Sequence, residues 1–179
     1  MRLFIGVTFD AKTKENIQDI QIKLKEYAIE GRFTDKANLH LTLIFIGEVY
    51  SSSVNMIKKI MNSISFPPFQ LQFNDVGSFK RQGGNICWLG VNPCSELSKI
   101  HSQLAAGLTH SRIRFDNRPY SPHLTLARSV ILKKNFDKVQ FSREISRFNV
   151  DVNQICLMNS ERLSGKLTYT EIYTQNFRL

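Results

Sequence analysis

Residues 39–45 read LHLTLIF and residues 122–128 read PHLTLAR, so two of the chain's four histidines open the same tetrapeptide, 83 residues apart. Leucine and threonine in alternation favour a strand, in which successive side chains point to opposite faces. In the first copy His40 and Thr42 share one face, with Leu39, Leu41 and Leu43 on the other. In the second, His123 and Thr125 oppose Leu124 and Leu126. The leucine faces suit packing under a helix and leave the polar faces open. Two such strands brought together would form a cleft holding two imidazoles and two hydroxyls.

Outward from the repeats, the chain alternates short apolar strands with amphipathic helices. Residues 2–9 read as a first strand, and Asp10 as the cap of a helix carrying Ile17, Ile20, Leu24 and Tyr27, ended by Gly31. The first repeat forms a strand over 38–46, closed by Gly47. After Ser51–Ser53 a second helix is predicted from Val54, Ile57, Met61 and Ile64, stopped by Pro67 and Pro68. Two strands follow, over 69–76 and 86–91, joined by the polar loop KRQGGN. A third helix begins after Ser95, with Leu97, Ile100, Leu104 and Leu108 as its apolar face. The basic connector SRIRFDNRPYSP leads to the second repeat, and further strands are predicted over 148–158 and 167–177 around a turn-rich MNSERLSGKL. Residues 130–142 carry no pattern that decides their structure. This order lacks the strict strand–helix alternation of a doubly wound sheet, so an α+β fold with largely antiparallel sheets is expected. The placement of one repeat in each half, each preceded by a helix, points to two related lobes.

At 179 residues, with 42% hydrophobic and 11% aromatic side chains, the chain can bury its own core. No apolar run is long enough to span a bilayer, and the N-terminal apolar stretch is too short for a signal peptide. Three cysteines without a CxxC pair predict a reduced, cytoplasmic protein in which Cys87, Cys94 and Cys156 serve packing. The net charge of +9 favours a polyanionic partner without proving one.

The paired His-x-Thr sets suit phosphodiester chemistry. Imidazole titrates near neutral pH, so one histidine can accept a proton from the attacking water or hydroxyl while the other gives one to the leaving alkoxide. Threonine hydroxyls can donate to the non-bridging oxygens, and Arg128 adds a fixed cation for the phosphate. Arg128 is out of phase with Thr125, so a strand end or a bulge must turn it toward the cleft. Either repeat alone would be an ordinary strand; two from so few histidines shift the balance to function. His101 and His110 receive no role, His101 being placed on a helix surface. Two histidines could hold zinc, but a catalytic site usually takes three protein ligands, and neither repeat carries an HxH, HxD or HExxH pattern. No metal and no cofactor are therefore expected.

The chain resembles the 2H phosphoesterases, defined by two HxT motifs, and within them the RNA 2',3'-cyclic phosphodiesterases, historically called 2'-5' RNA ligases. The resemblance runs through RLFIGV, NLHLTLIFIGEV, GSF at 77–79, WLGV at 88–91, RPYSPHLTLAR and LMNSERLSGKLTY. It implies a single domain over 1–179, bilobal and pseudo-twofold, with two mostly antiparallel sheets flanked by helices and a central cleft lined by both HxT strands. It also implies metal-independent hydrolysis of an RNA 2',3'-cyclic phosphate to a 2'-phosphate, with ligation as the reverse reaction. Carried over, His40 and His123 are the acid–base pair, with His123 as base for water and His40 as acid for the departing O3'. Thr42, Thr125 and Arg128 bind the phosphate, and Phe45 and Phe79 are candidates to stack on the terminal base, against core packing as the plainer role. Tyr120 stands where the family often has phenylalanine. The partners implied are RNA ends or cyclic nucleotides, with no membrane and a monomeric enzyme. Rival readings are a phosphodiesterase of small cyclic nucleotides or 2'-5' oligoadenylates, and a non-catalytic RNA-binding protein.

Overall fold

A computed structural model describes residues 1–177 of the chain. Its strands are β1 (Arg2–Thr8), β2 (Ala28–Phe33), β3 (His40–Glu48), β4 (Phe69–Phe79), β5 (Asn85–Val91), β6 (His123–Leu132), β7 (Phe148–Val152), β8 (Gln154–Leu163) and β9 (Lys166–Asn176). The helices are α1 (Ala11–Glu26), α2 (Val54–Asn62), α3 (Ser95–His110) and α4 (Lys138–Glu144). None is long and apolar enough to cross a membrane.

The fold is α+β, and all the strand pairs are antiparallel, as the sequence predicts. Hydrogen bonding joins the two expected sheets into one, in the order β7-β4-β5-β6-β3-β1-β8-β9, with β2 also on β6. The join is narrow: between β3 and β6 only Leu41 and Leu124 are in register. Outward from it, each half runs through four strands in matching fashion, β3-β1-β8-β9 and β6-β5-β4-β7. The sheet is strongly curled, because β7 and β8 lie far apart in this order yet are linked by Asn153 alone.

Both repeats bury their leucines as the alternation requires: Leu39, Leu41, Leu43, Leu124 and Leu126 are all in the core. α3 packs on β3 and α1 on β6. The apolar stripe Leu97, Ile100, Leu104 and Leu108 of α3 is wholly buried, as are Ile17 and Leu24 of α1. Each such side chain contributes on the order of 1.5–3 kcal/mol of transfer free energy, so the leucine faces fix which way the histidines point.

Several boundaries differ from the sequence reading. α1 ends at Glu26 with Tyr27 as its C-cap, not at Gly31, which lies inside β2. That short strand lies along β6 and is mostly exposed, so it carries no apolar alternation to reveal it. The strand expected over 148–158 is broken at Asn153 into β7, which pairs with β4, and β8, which pairs with β1. Most of MNSERLSGKL is strand rather than link. Its turn is confined to Ser164 and Gly165, both at positive φ (50° and 82°), the pairing that suits a tight two-residue hairpin. The ambiguous 130–142 holds the end of β6 and the start of α4, which is capped by Asp137 through the backbone N–H of Gln140.

Candidate active site

β3 and β6 each begin on their histidine, and the two rings are held identically. His40 Nδ1 lies 2.7 Å from the carbonyl of Asn38, and His123 Nδ1 lies 2.7 Å from the carbonyl of Ser121. A carbonyl only accepts, so each Nδ1 carries the hydrogen and leaves Nε2 as the free acid–base nitrogen. His40 Nε2 lies 3.0 Å from Thr42 Oγ1, whose hydroxyl donates to it when the ring is neutral. Among the described residues no such bond ties His123 to Thr125.

Aromatic rings surround both imidazoles. Phe4 and Tyr169 lie 4.6 and 5.1 Å from His40, centroid to centroid, and Phe79 and Trp88 lie 5.0 and 6.1 Å from His123. Burial therefore lowers both pKa values, against the backbone carbonyls, which favour the protonated rings. Arg128 pushes both in the same direction as burial, and His40 falls to about 4.

The leucine that ends each repeat is a β-bulge. On β3, Ile5 faces Ile44 and Gly6 faces Thr42, leaving Leu43 as the extra residue. On β6, Cys87 faces Ala127 and Trp88 faces Thr125, leaving Leu126 as the extra residue. A bulge resets the alternation. The residue three beyond each threonine is thereby returned to the cleft face: Phe45 in the first copy, Arg128 in the second. This is the turn that Arg128 requires. The carbonyl freed at Leu126 accepts from Gln21 Nε2 at 2.8 Å and from the backbone N–H of Thr34 at 2.9 Å, so the irregularity leaves no buried acceptor unpaired there.

His40, Thr42, Phe45, His123, Thr125 and Arg128 line one cavity of about 550 Å³. Phe79 does not line it. It packs edge-on to His123 and tilted against Trp88, so it braces the catalytic face from the side. Tyr120 lies parallel to His101 at 4.4 Å, which half-buries His101 instead of leaving it on the helix surface. Cys87 and Cys156 are buried and Cys94 partly so, all three free; burial pushes the Cys87 thiol to about 11. Among the described residues, no three His, Cys, Asp or Glu side chains converge as metal ligands.

Three features escaped the sequence reading. Asn38, buried, donates from Nδ2 to the Leu167 carbonyl at 2.9 Å and accepts the Tyr169 N–H at 3.2 Å, so it ties the β8–β9 hairpin over the histidine it also orients. Trp88 lies across Gly77, where an added Cβ would sit 2.0 Å from the indole, which explains the glycine in GSF. The hairpin and the first strand supply Arg2, Arg162 and Tyr169 to the cavity. Their segments stand among those that carried the resemblance, but no single-residue pattern marked them.

Comparison with known proteins bears on this site. The model of the 2'-5' RNA ligase superfamily matches residues 9–163. An RNA 2',3'-cyclic phosphodiesterase of Escherichia coli K12 is 33% identical over 173 residues, covering 96% of this chain and 93% of that one. Its counterpart from Archaeoglobus fulgidus is 31% identical over 149 residues, covering 82% and 81%. The crystal structure of E. coli LigT complexed with 3'-AMP superposes with a TM-score of 0.84 at 27% identity, covering 99% of this chain and 98% of that one.

Proposed function

The chain belongs to the 2'-5' RNA ligase superfamily, and from that membership we propose how it works as an RNA 2',3'-cyclic phosphodiesterase, opening the terminal cyclic phosphate of an RNA to a 2'-phosphate. The observation that carries the mechanism is the paired fixing of both Nδ1–H groups, which leaves two Nε2 atoms as the proton carriers of one cavity.

Neutral His40 takes a proton from water as its oxygen attacks phosphorus. The P–O3' bond breaks, and protonated His123 gives its Nε2 proton to O3'. The charge that gathers on the non-bridging oxygens meets the Thr42 and Thr125 hydroxyls and the Arg128 guanidinium. At the end of the turnover His40 is protonated and His123 neutral, and exchange with solvent restores the pair. This order inverts the one carried over from the family. The support is electrostatic: His40 has a pKa of about 4 and is neutral at working pH. Of the three positive groups that lower His40, namely Arg128, His123 and Lys14, only Arg128 acts on His123, and the bound anionic phosphate favours its protonated form. Phe45, at the cleft face, is the base-stacking residue, while Phe79 positions His123.

Metal ions take no part in this scheme; among the described residues the two histidines have no third His, Cys, Asp or Glu beside them to make up a ligand set. Both HxT sets and Arg128 come from the same chain, so the site needs no second copy and a monomer suffices, and the three free thiols fit a reducing compartment such as the cytoplasm. Because each half of the sheet supplies one histidine, residues 1–179 act as one domain of two lobes. Ligation is the same ring opening with a 5'-hydroxyl in the place of the attacking water: its oxygen bonds to phosphorus, the P–O3' bond breaks, and a 2'-5' linkage results, from which attack of the 3'-hydroxyl restores the cyclic end.

Product analysis on 2',3'-cyclic mononucleotides and short cyclic-ended RNA tests the reading, with a 2'-phosphate expected and turnover unchanged by EDTA. A 3'-phosphate product would overturn it. The order of the pair is tested with sulfur replacing the bridging O3', since a thiolate leaves without a proton. This substrate should restore turnover to His123→Ala and not to His40→Ala; the opposite pattern would return the roles.

A further inference from the structure

The cavity continues well past the chemistry. On its floor, β3 runs from His40 through Thr42 and Phe45 to Glu48, all of which line the cavity. Five residues lie between Thr42 and Glu48, a span of less than about 20 Å because Leu43 bulges within it. A cyclic phosphate occupies only the histidine end.

Besides Arg128, two more guanidiniums line the same cavity, Arg2 from β1 and Arg162 from the β8–β9 hairpin. Arg2 stands in register with Glu48, and its guanidinium carbon lies 5.2 Å from the centre of the Phe45 ring. Arg162 donates from Nη1 to the Gly165 carbonyl at 2.8 Å, which fixes it at the hairpin turn. Among the described residues neither arginine forms a salt bridge. The two carboxylates that share the lining are engaged elsewhere: Glu48 by the amino terminus at 3.9 Å and Glu161 by the Thr170 hydroxyl at 3.2 Å. Two unneutralised, planar, five-donor cations beyond a base-stacking ring are suited to a second phosphate.

The geometry points to a second phosphate-binding station, formed by Arg2 and Arg162, for the phosphate on the 5' oxygen of the nucleotide that carries the cyclic phosphate. This rests on the proposed function. With the cyclic phosphate between His40 and His123 and the base at Phe45, the 5' oxygen of the ribose is left to the part of the cavity lined by Arg2, whose guanidinium lies beside Phe45, and by Arg162. That phosphate is a diester in an RNA chain and a monoester in a 5'-phosphorylated mononucleotide; the station recognises what the two share. It makes the enzyme selective for RNA ends over cyclic mononucleotides with a free 5'-hydroxyl.

The test compares kcat/KM on three substrates: a 2',3'-cyclic mononucleotide, its 5'-phosphorylated form, and a dinucleotide ending in the same cyclic phosphate. Wild-type enzyme should favour the dinucleotide over the plain mononucleotide by about tenfold or more, the scale of one charge-assisted contact. Equal gain from the 5'-monoester assigns the station to the phosphate itself; gain from the dinucleotide alone assigns it to the chain. Either result supports the station if Arg2→Gln and Arg162→Gln each reduce the ratio, and if Arg162→Lys retains part of it. The ratio is read within each variant, so a loss of folded protein cancels. Equal turnover of all three substrates by wild-type enzyme, or a ratio unchanged in both Gln variants, would overturn the station while leaving the phosphodiesterase reading intact. Failure to open any of the three would sink both.

Discussion

The backbone carbonyl of Asn38 accepts the Nδ1 proton of His40 at 2.7 Å, while the Asn38 side chain holds the backbone of the β8–β9 hairpin. One buried residue thus aims the first imidazole and anchors the wall above it. Asn38→Ala keeps the carbonyl but leaves the Leu167 C=O and Tyr169 N–H unpaired. It should destabilise the protein by about 1–3 kcal/mol in urea unfolding and reduce kcat by roughly one to two orders of magnitude through misplacement of the hairpin. A loss of kcat with unchanged stability would show that the hairpin is held by something else.

Stability should fall in acid because His40 is buried in its neutral form. Its folded pKa of about 4 lies below the ordinary 6.5. The unfolded chain therefore binds the proton first, so stability is full above the ordinary value and is lost as pH falls toward the folded one. The loss amounts to about 3 kcal/mol, and His123, lowered too, adds in the same direction. Urea unfolding of wild type and His40→Gln over this range checks the point; equal slopes for the two would be inconsistent with it.

Gly77→Ala forces the Trp88 indole off its seat beside His123. Overpacking of this kind costs about 1–3 kcal/mol. Trp88 is the chain's only tryptophan, so its fluorescence reports the shift directly. The expected result is altered emission together with a reduced kcat. Unaltered emission would mean that the strand, not the ring, gives way.

Thr42→Val and Thr125→Val keep shape and strand preference while removing the hydroxyl. Each should lower kcat by roughly 10²–10³, the scale for one lost donor to a developing oxyanion. Thr42→Val should also raise the pH at which His40 titrates, because it frees Nε2 from a bond made only in the neutral form. Histidine NMR titration reads that shift, and an unmoved His40 would discount the bond.

The parts of this architecture that were legible before folding are those written in short-range periodicity. The alternation in HLTL placed both histidines and both threonines on open faces, and the stripe Leu97, Ile100, Leu104 and Leu108 located α3 to within a residue or two. The failures share a physical cause. β2 is held by its neighbour and not by its own pattern, and the split at Asn153 is a change of strand partner, from β4 to β1, within a stretch whose alternation reads as one strand. Arg2 and Arg162 reach the cavity, and Asn38 meets the β8–β9 hairpin, through the curl of the sheet, and no window of sequence encodes that curl. The bulge at Leu126 was implied by the misfit of Arg128, whereas its twin at Leu43 gave no such sign.

The single registered pair between the two halves, Leu41 with Leu124, also acts as a gauge. Each leucine lies next in sequence to its histidine, so the separation of the two proton carriers is tied to one pair of strands, about 4.7–4.9 Å apart backbone to backbone. Duplicate half-sites joined in this way hold a fixed gap, set by the main chain before any substrate arrives.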